Sequence, residues 1–224
     1  MNVSYYQRFG IILKNPHFPG YLRWAYTACL KDVESLGLTP NLSKKDFTAI
    51  LCGCGNEQTA DTFIQYILER NKDPKIVIID QGSEQIWAVK ALVAKKYANQ
   101  RIRIQQINAL NLTKFVPKHS VDWLETDGFI EYFDHDSLNK LFGVWRSVLH
   151  DDGYITTRDC ITTNFLTRIA DWFRVTIGKI WLGVALFPHT WSELHQLIQK
   201  NGLIYTTGET KLFTYKRIAM IKRK

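Results

Sequence analysis

One local unit constrains this chain more than any other. The run Ala49-Ile50-Leu51-Cys52-Gly53-Cys54-Gly55-Asn56-Glu57 is followed, further on, by Lys75-Ile76-Val77-Ile78-Ile79-Asp80. It reads as a buried strand, a glycine turn, a helix and a second strand that ends on a carboxylate. A continuous apolar run such as 76–79 suits a strand covered on both faces, as in parallel sheets flanked by helices. Glycine has no Cβ, so the turn lets backbone approach a ligand closely. An acid at the end of the second strand can accept hydrogen bonds from both hydroxyls of a ribose. Together these parts make a nucleoside-binding edge on a parallel sheet.

The rest of the chain extends the pattern. Residues 1–45 read as a helical segment punctuated by Pro16, Pro19 and Pro40, with Tyr21, Trp24, Ala25, Ala28 and Leu36 in an apolar stripe. Strands are expected over 48–52, 75–80, 101–107, 121–126 and 154–157, with helices over 58–70, 83–98 and 136–149 between them. Residues 150–153 make a turn before the fifth strand. Strand–helix alternation predicts a parallel sheet with right-handed crossovers. The end departs from it: a helix over 191–200, a short strand over 203–206 and a last strand over 211–221 form an antiparallel hairpin. Residues 160–188 also break the alternation. They are aromatic and apolar, and their place suggests a helical cap over the ligand edge; a dimer face or plain core is the equal alternative.

The charge of +8 raises the question of nucleic acid. Lys211, Lys216, Arg217, Lys222, Arg223 and Lys224 supply most of it, with no acid among them, which leaves the rest of the chain near neutrality. A basic last strand reads first as a solvated edge that discourages sheet-to-sheet pairing, and second as a strip for RNA or an anionic surface. No apolar run is long enough to span a membrane. The start, Met1-Asn2-Val3-Ser4-Tyr5-Tyr6-Gln7-Arg8, lacks the apolar core of a signal peptide, so a cytoplasmic location is expected. Cys29, Cys52, Cys54 and Cys160 show no metal-ligand spacing and read as small buried side chains. On strand alternation, Cys52 and Cys54 are expected to point the same way.

From 48 to 221 the order of parts resembles the class I S-adenosylmethionine-dependent methyltransferases. Leu51-Cys52-Gly53-Cys54-Gly55-Asn56 is similar to the family's first motif. Asp80 stands at its ribose-binding acid, and Asn108-Ala109 at its adenine-contacting strand end. Val121-Asp122-Trp123-Leu124-Glu125-Thr126-Asp127-Gly128 resembles the fourth motif, and Leu149-His150-Asp151-Asp152-Gly153-Tyr154-Ile155 the turn into strand five. The sequence departs from the family at Leu51, where an acid is usual, at Glu57, where a third glycine is usual, and at Asn108, where an acid is usual. The resemblance implies a Rossmann-like three-layer α/β sandwich with a mostly parallel seven-stranded sheet and an antiparallel last strand. It divides the chain into an N-terminal helical segment, 1–45, and a methyltransferase domain, 46–224, with a cap insertion at 160–188. The implied cofactor is S-adenosylmethionine, held by Gly53, Cys54, Gly55, Asp80, Gln81, Asn108, Ala109 and Glu125.

Methyl transfer from a sulfonium is an in-line displacement, so the protein mainly positions the acceptor, excludes water and takes a proton where needed. Asp127 and His135 are the candidate proton acceptors. Tyr5, Tyr6, Arg8, Tyr21 and Arg23 are placed to close over the site or to pack on the sheet. The aromatic cap favours a small, partly apolar acceptor methylated at oxygen or nitrogen. RNA or protein methylation and a non-catalytic cofactor-binding role are the alternatives. A nicotinamide-dependent oxidoreductase is disfavoured, because Gly53-Cys54-Gly55-Asn56-Glu57-Gln58 lacks the last glycine needed beside a pyrophosphate. Nucleic acid is the less favoured partner, and a monomer or a homodimer is expected.

Overall fold

The computed structural model describes residues 4–13 and 15–223. Met1–Val3 of the N-terminal helical segment and Lys224 of the basic tail lie outside the described residues. Two N-terminal helices come first, α1 (Tyr5–Leu13) and α2 (Phe18–Ser35). Then follow β1 (Thr48–Cys52), α3 (Glu57–Leu68), β2 (Lys75–Asp80), α4 (Ser83–Lys96), β3 (Ile102–Gln106) and β4 (Val121–Asp127). The second half holds α5 (His135–Val148), β5 (Leu149–Thr162), α6 (Phe165–Ile177), the two-residue β6 (His189–Thr190), α7 (Trp191–Lys200), β7 (Leu203–Glu209) and β8 (Tyr215–Lys222).

The main sheet runs β3-β2-β1-β4-β5-β8-β7, with β6 paired to β5 off that path. All main-sheet pairings are parallel except those of β8, which is antiparallel to both of its neighbours. The two-residue period of a strand sorts its side chains into two layers. Ile50 and Cys52 join the core under α5 and α7, built from Leu138, Leu141, Phe142, Trp145, Leu194, Leu197 and Ile198. Ala49 and Leu51 join the core under α2, α3 and α4, with Tyr26, Phe63, Ile64, Ile67 and Val89. This is the three-layer Rossmann-like sandwich. Leu51, where the resemblance lacks an acid, is core.

Three local readings change in the structure. Cys52 and Cys54 fall into opposite layers. The strand stops at Cys52, and Gly53 takes φ +76°, which turns the chain before Cys54 is placed. Strand β5 is far longer than 154–157. Its pairing jumps from Val121↔Leu149 to Trp123↔Tyr154, so the turn at 150–153 is a large bulge inside the strand. Lastly, the basic strand β8 is an interior strand, held between β5 and β7. Its charges are paired within the chain: Lys216 with Glu209 at 2.6 Å, Arg217 with Asp32 at 2.8 Å and Lys222 with Asp151 at 3.1 Å. The solvated-edge explanation therefore fails, because the hairpin folds inward and leaves β7 as the edge.

Candidate active site

The carboxyl ends of β1, β2 and β4 meet at one side of the sheet and open a cavity of about 530 Å³. Gly53, Gly55, Asp80, Gln81, Asn108, Ala109 and Asp127 line it. That volume falls in the usual range for a cofactor or small-molecule site.

The glycine turn is fixed by local chemistry. Gly53 and Gly55 both have positive φ, +76° and +59°, which side chains other than glycine rarely adopt. A Cβ on Gly53 would also meet the Phe129 ring at 2.5 Å. Asn56 follows in extended geometry, and its Oδ1 accepts the Thr59 N–H at 2.9 Å, so it caps α3. Glu57 then begins the helix, at the positive end of its dipole. There it accepts a short hydrogen bond from the Tyr6 hydroxyl.

Asp80 ties the turn to the next loop. Its Oδ2 accepts the Cys54 N–H at 2.9 Å and its Oδ1 accepts the Gly82 N–H at 2.8 Å. The Cys54 thiol also donates to Oδ2, at 3.7 Å, so the further lone pair is on Oδ1. Burial pushes this carboxyl above the usual aspartate value, against the pull of the Gly82 and Cys54 N–H groups. Cys54 thus holds Asp80 with both its backbone N–H and its thiol. Its thiol is buried and driven well up by that burial, so it is no nucleophile. Asn108 caps the 3₁₀ turn Ala109–Lys114, its Oδ1 accepting the Leu110 N–H at 2.9 Å.

Two residues expected at the site stand elsewhere. Glu125 is fully buried beneath it, 2.7 Å from Arg158, and accepts a short hydrogen bond from Thr156. Burial lifts its carboxyl to about 7, against Arg158 and Thr156. It sits mid-strand, two residues short of the strand end that reaches the cavity. His135 is exposed on the first turn of α5 and is not among the residues lining the cavity. Asp134, the cap of α5, and Ser137 line it instead.

Asp127 lines the cavity with its Oδ1 held 3.1 Å from Arg158 Nε. Burial raises its carboxyl and Arg158 opposes that rise. Burial also works against charge on Arg158, but Asp127 and Glu125 overcome it, so one cation braces two carboxyl groups beneath the floor.

The opposite wall is aromatic. Phe129, Tyr132 and Phe133 follow β4, Tyr5 and Tyr6 come from α1, and Val184 and Phe187 come from the segment after α6. The Tyr5 and Tyr132 hydroxyls lie 2.7 Å apart. Burial raises the Tyr5 phenol to about 12 and pushes Tyr132 up as well, so both stay protonated near neutrality. The Arg8 guanidinium reaches the Trp181 carbonyl, joining α1 to the segment after α6. Of the other N-terminal candidates, Tyr21 stacks between Phe18 and Trp24, and Arg23 pairs with Glu69 outside the cavity. Phe187 belongs to the apolar segment expected to cap the site, whereas Phe129 carries no local sequence signal. Only the crowding over Gly53 and the Phe187 N–H bond to the Glu131 carbonyl, at 2.7 Å, place them at the wall.

No family model matches this chain, and no curated protein matches it either. Many solved structures do. The mitomycin 7-O-methyltransferase MmcR superposes with a TM-score of 0.60 at 13% identity, over 98% of this chain and 61% of its own. The geranyl diphosphate C-methyltransferase from Streptomyces coelicolor A3(2), in complex with Mg2+, geranyl diphosphate and S-adenosyl-L-homocysteine, gives 0.61 at 14% identity, over 93% and 86%. An O-methyltransferase family protein from Burkholderia thailandensis gives 0.64 at 12% identity, over 100% and 64%. This chain therefore spans about three fifths of the length of the mitomycin enzyme. Its fold is that of the S-adenosylmethionine-dependent methyltransferases.

Proposed function

We propose that this chain binds S-adenosylmethionine in the cavity and transfers its methyl group to a small, partly apolar molecule, at oxygen or nitrogen. One observation carries the reading. A glycine turn, a half-buried acid and a strand-end asparagine converge on one side of a cavity whose other side is aromatic. Structural neighbours with the same fold include a complex with S-adenosyl-L-homocysteine and a complex with sinefungin.

The residues fit the cofactor. Asp80 would meet the ribose hydroxyls through Oδ1, and through Oδ2 once the weak thiol bond from Cys54 gives way, while its backbone partners hold it still. Gly53 and Gly55 present bare backbone to the amino-acid portion. Ala109 and the Asn108 amide flank the adenine, with the Asn108 carbonyl oxygen already sharing itself with the helix cap. When bound, the cofactor supplies a methyl group activated by a positive sulfur. Phe129, Phe133 and Phe187 exclude water and hold an apolar acceptor in line. Asp127 is the carboxylate placed to take a proton from it, with Arg158 keeping that carboxylate oriented. The pairing of Lys216, Arg217 and Lys222 inside the chain speaks against an RNA-docking tail. In this reading 160–188 is a cap insertion and 1–45 a helical segment whose first helix joins the cap in the aromatic wall.

The test is titration calorimetry with S-adenosylmethionine and S-adenosylhomocysteine, beside NAD as a control. Binding of both sulfur nucleosides and none of NAD is expected. A silent titration with the two sulfur nucleosides removes the proposal.

A further inference from the structure

Helix α6 is amphipathic in the reverse sense for a soluble domain. Thr167, Asp171 and Arg174 face the protein, and its large apolar residues face outward. Thr167 and Asp171 are buried. Arg174 pairs with Asp171 at 2.8 Å and closely with Glu131, and Thr162 donates to Asp171. On the other side Phe165, Leu166, Trp172, Phe173 and Ile177 are more than half exposed. Ile180, 77% exposed, and Trp181 extend the same surface through the π-turn Gly178–Leu182. Turning the helix to bury this face would pull Asp171 and Arg174 off their partners. The outward apolar face is therefore locked in place.

The charge around it is mainly positive: Glu209, at the start of the β7–β8 turn, is paired with Lys216. Between 160 and 188 the only acid is Asp171, which is buried and paired, whereas Arg168 and Lys179 are exposed. The β7–β8 turn adds exposed Lys211, Leu212 and Phe213. It sits beside the strand that leads into α6, since the Thr214 carbonyl accepts the Ile161 N–H at 3.3 Å. Two copies meeting face to face would set these cations against one another in a chain already at +8. An anionic lipid surface accepts both the rings and the cations. Helix α6, at about 20 Å, is too short to cross a bilayer core of about 30 Å. It would lie in the interface plane.

We propose that the α6 face, with the π-turn and the β7–β8 turn, is a docking surface for an anionic membrane, independent of methyl transfer. The same segment supplies Val184 and Phe187 to the cavity wall.

Flotation of the full chain with phosphatidylcholine vesicles, with and without phosphatidylserine, tests this at physiological salt. Binding is expected to the phosphatidylserine vesicles and to be weaker by at least about tenfold on phosphatidylcholine alone. The pair Trp172→Ser with Phe173→Ser, at exposed positions, should lose binding by a similar factor while melting at an unchanged temperature. Arg168→Glu with Lys179→Glu should abolish the preference for phosphatidylserine. Absence of flotation with either vesicle overturns the proposal. So does variant flotation equal to that of the starting protein. A concentration-dependent dimer in sedimentation equilibrium that the serine pair dissociates, with no vesicle binding, overturns it in favour of self-association.

Discussion

The two walls of the cavity are made by different means. The wall at the ends of β1 and β2 is backbone and small polar groups: Gly53, Gly55, Asp80 and Gly82, joined by hydrogen bonds between neighbouring loops. The facing wall is side chains from three distant segments, joined by contacts such as Tyr5 to Tyr132 and Phe187 to the Glu131 carbonyl. The first wall can recognise fixed polar geometry. The second can offer only shape, dryness and apolar area. In the proposed reading, the first serves the cofactor and the second the acceptor.

If that division holds, damage to one wall should not reach the other. The largest effect is expected from Asp80→Ala. It removes the charge-assisted bonds to the ribose and the clamp on the Cys54 and Gly82 N–H groups, at roughly 2–3 kcal/mol, or about 30- to 150-fold in affinity. Calorimetry should show this loss for the cofactor, and an unchanged Kd would break the assignment. Gly53→Ala comes next. It combines a φ of +76° with a Cβ 2.5 Å from Phe129. About 1–3 kcal/mol of stability should go with it, read as a lowered denaturant midpoint.

A third prediction concerns the floor shared by both walls. Burial lifts both Glu125 and Asp159 to about 7. The Asp159 carboxylate nevertheless accepts the Phe129 and Ile130 N–H groups, at 2.9 and 3.0 Å. The folded state then binds more protons than the unfolded state between about pH 4 and 7. Their contribution to stability is full below the unfolded pKa values and is lost as pH rises through 7. Melting temperature should fall over that interval, and Asp159→Asn should flatten the fall. A profile that rises from pH 5 to 7, with no change in the variant, would contradict these assignments. The smallest effect is expected from Tyr132→Phe, which deletes the bond to Tyr5 and costs about 1 kcal/mol. It should raise KM for the acceptor with the cofactor Kd unchanged; an equal shift in both would erase the distinction between the walls.

The polar wall was largely legible in the sequence, because its parts are local. A glycine that must turn, an asparagine that must cap and an acid at a strand end each act on residues a few positions away or on the adjacent strand. Even so, reading Glu125 as a cofactor contact was a matter of two residues along β4, and burial depth along a strand has no local signature. His135 was drawn in by its chemistry, whereas Asp134 and Ser137 are the residues of that turn that line the cavity. The aromatic wall was legible only as composition. That 160–188 is apolar is plain from sequence, but which side of α6 faces outward depends on Thr162 and on Glu131, which reaches Arg174 from the loop after β4.

The sequence alone determined the alternation of strands and helices and the glycine turn set against a strand-end acid, since hydrophobic period and backbone sterics act over a few residues. Only the tertiary structure decided that the basic last strand is interior, that Arg158 braces Glu125 and Asp127, and that the apolar side of α6 points to solvent. Those outcomes rest on which charges find partners across the sheet, and a buried charge takes the position where it can be paired, whatever the local pattern prefers.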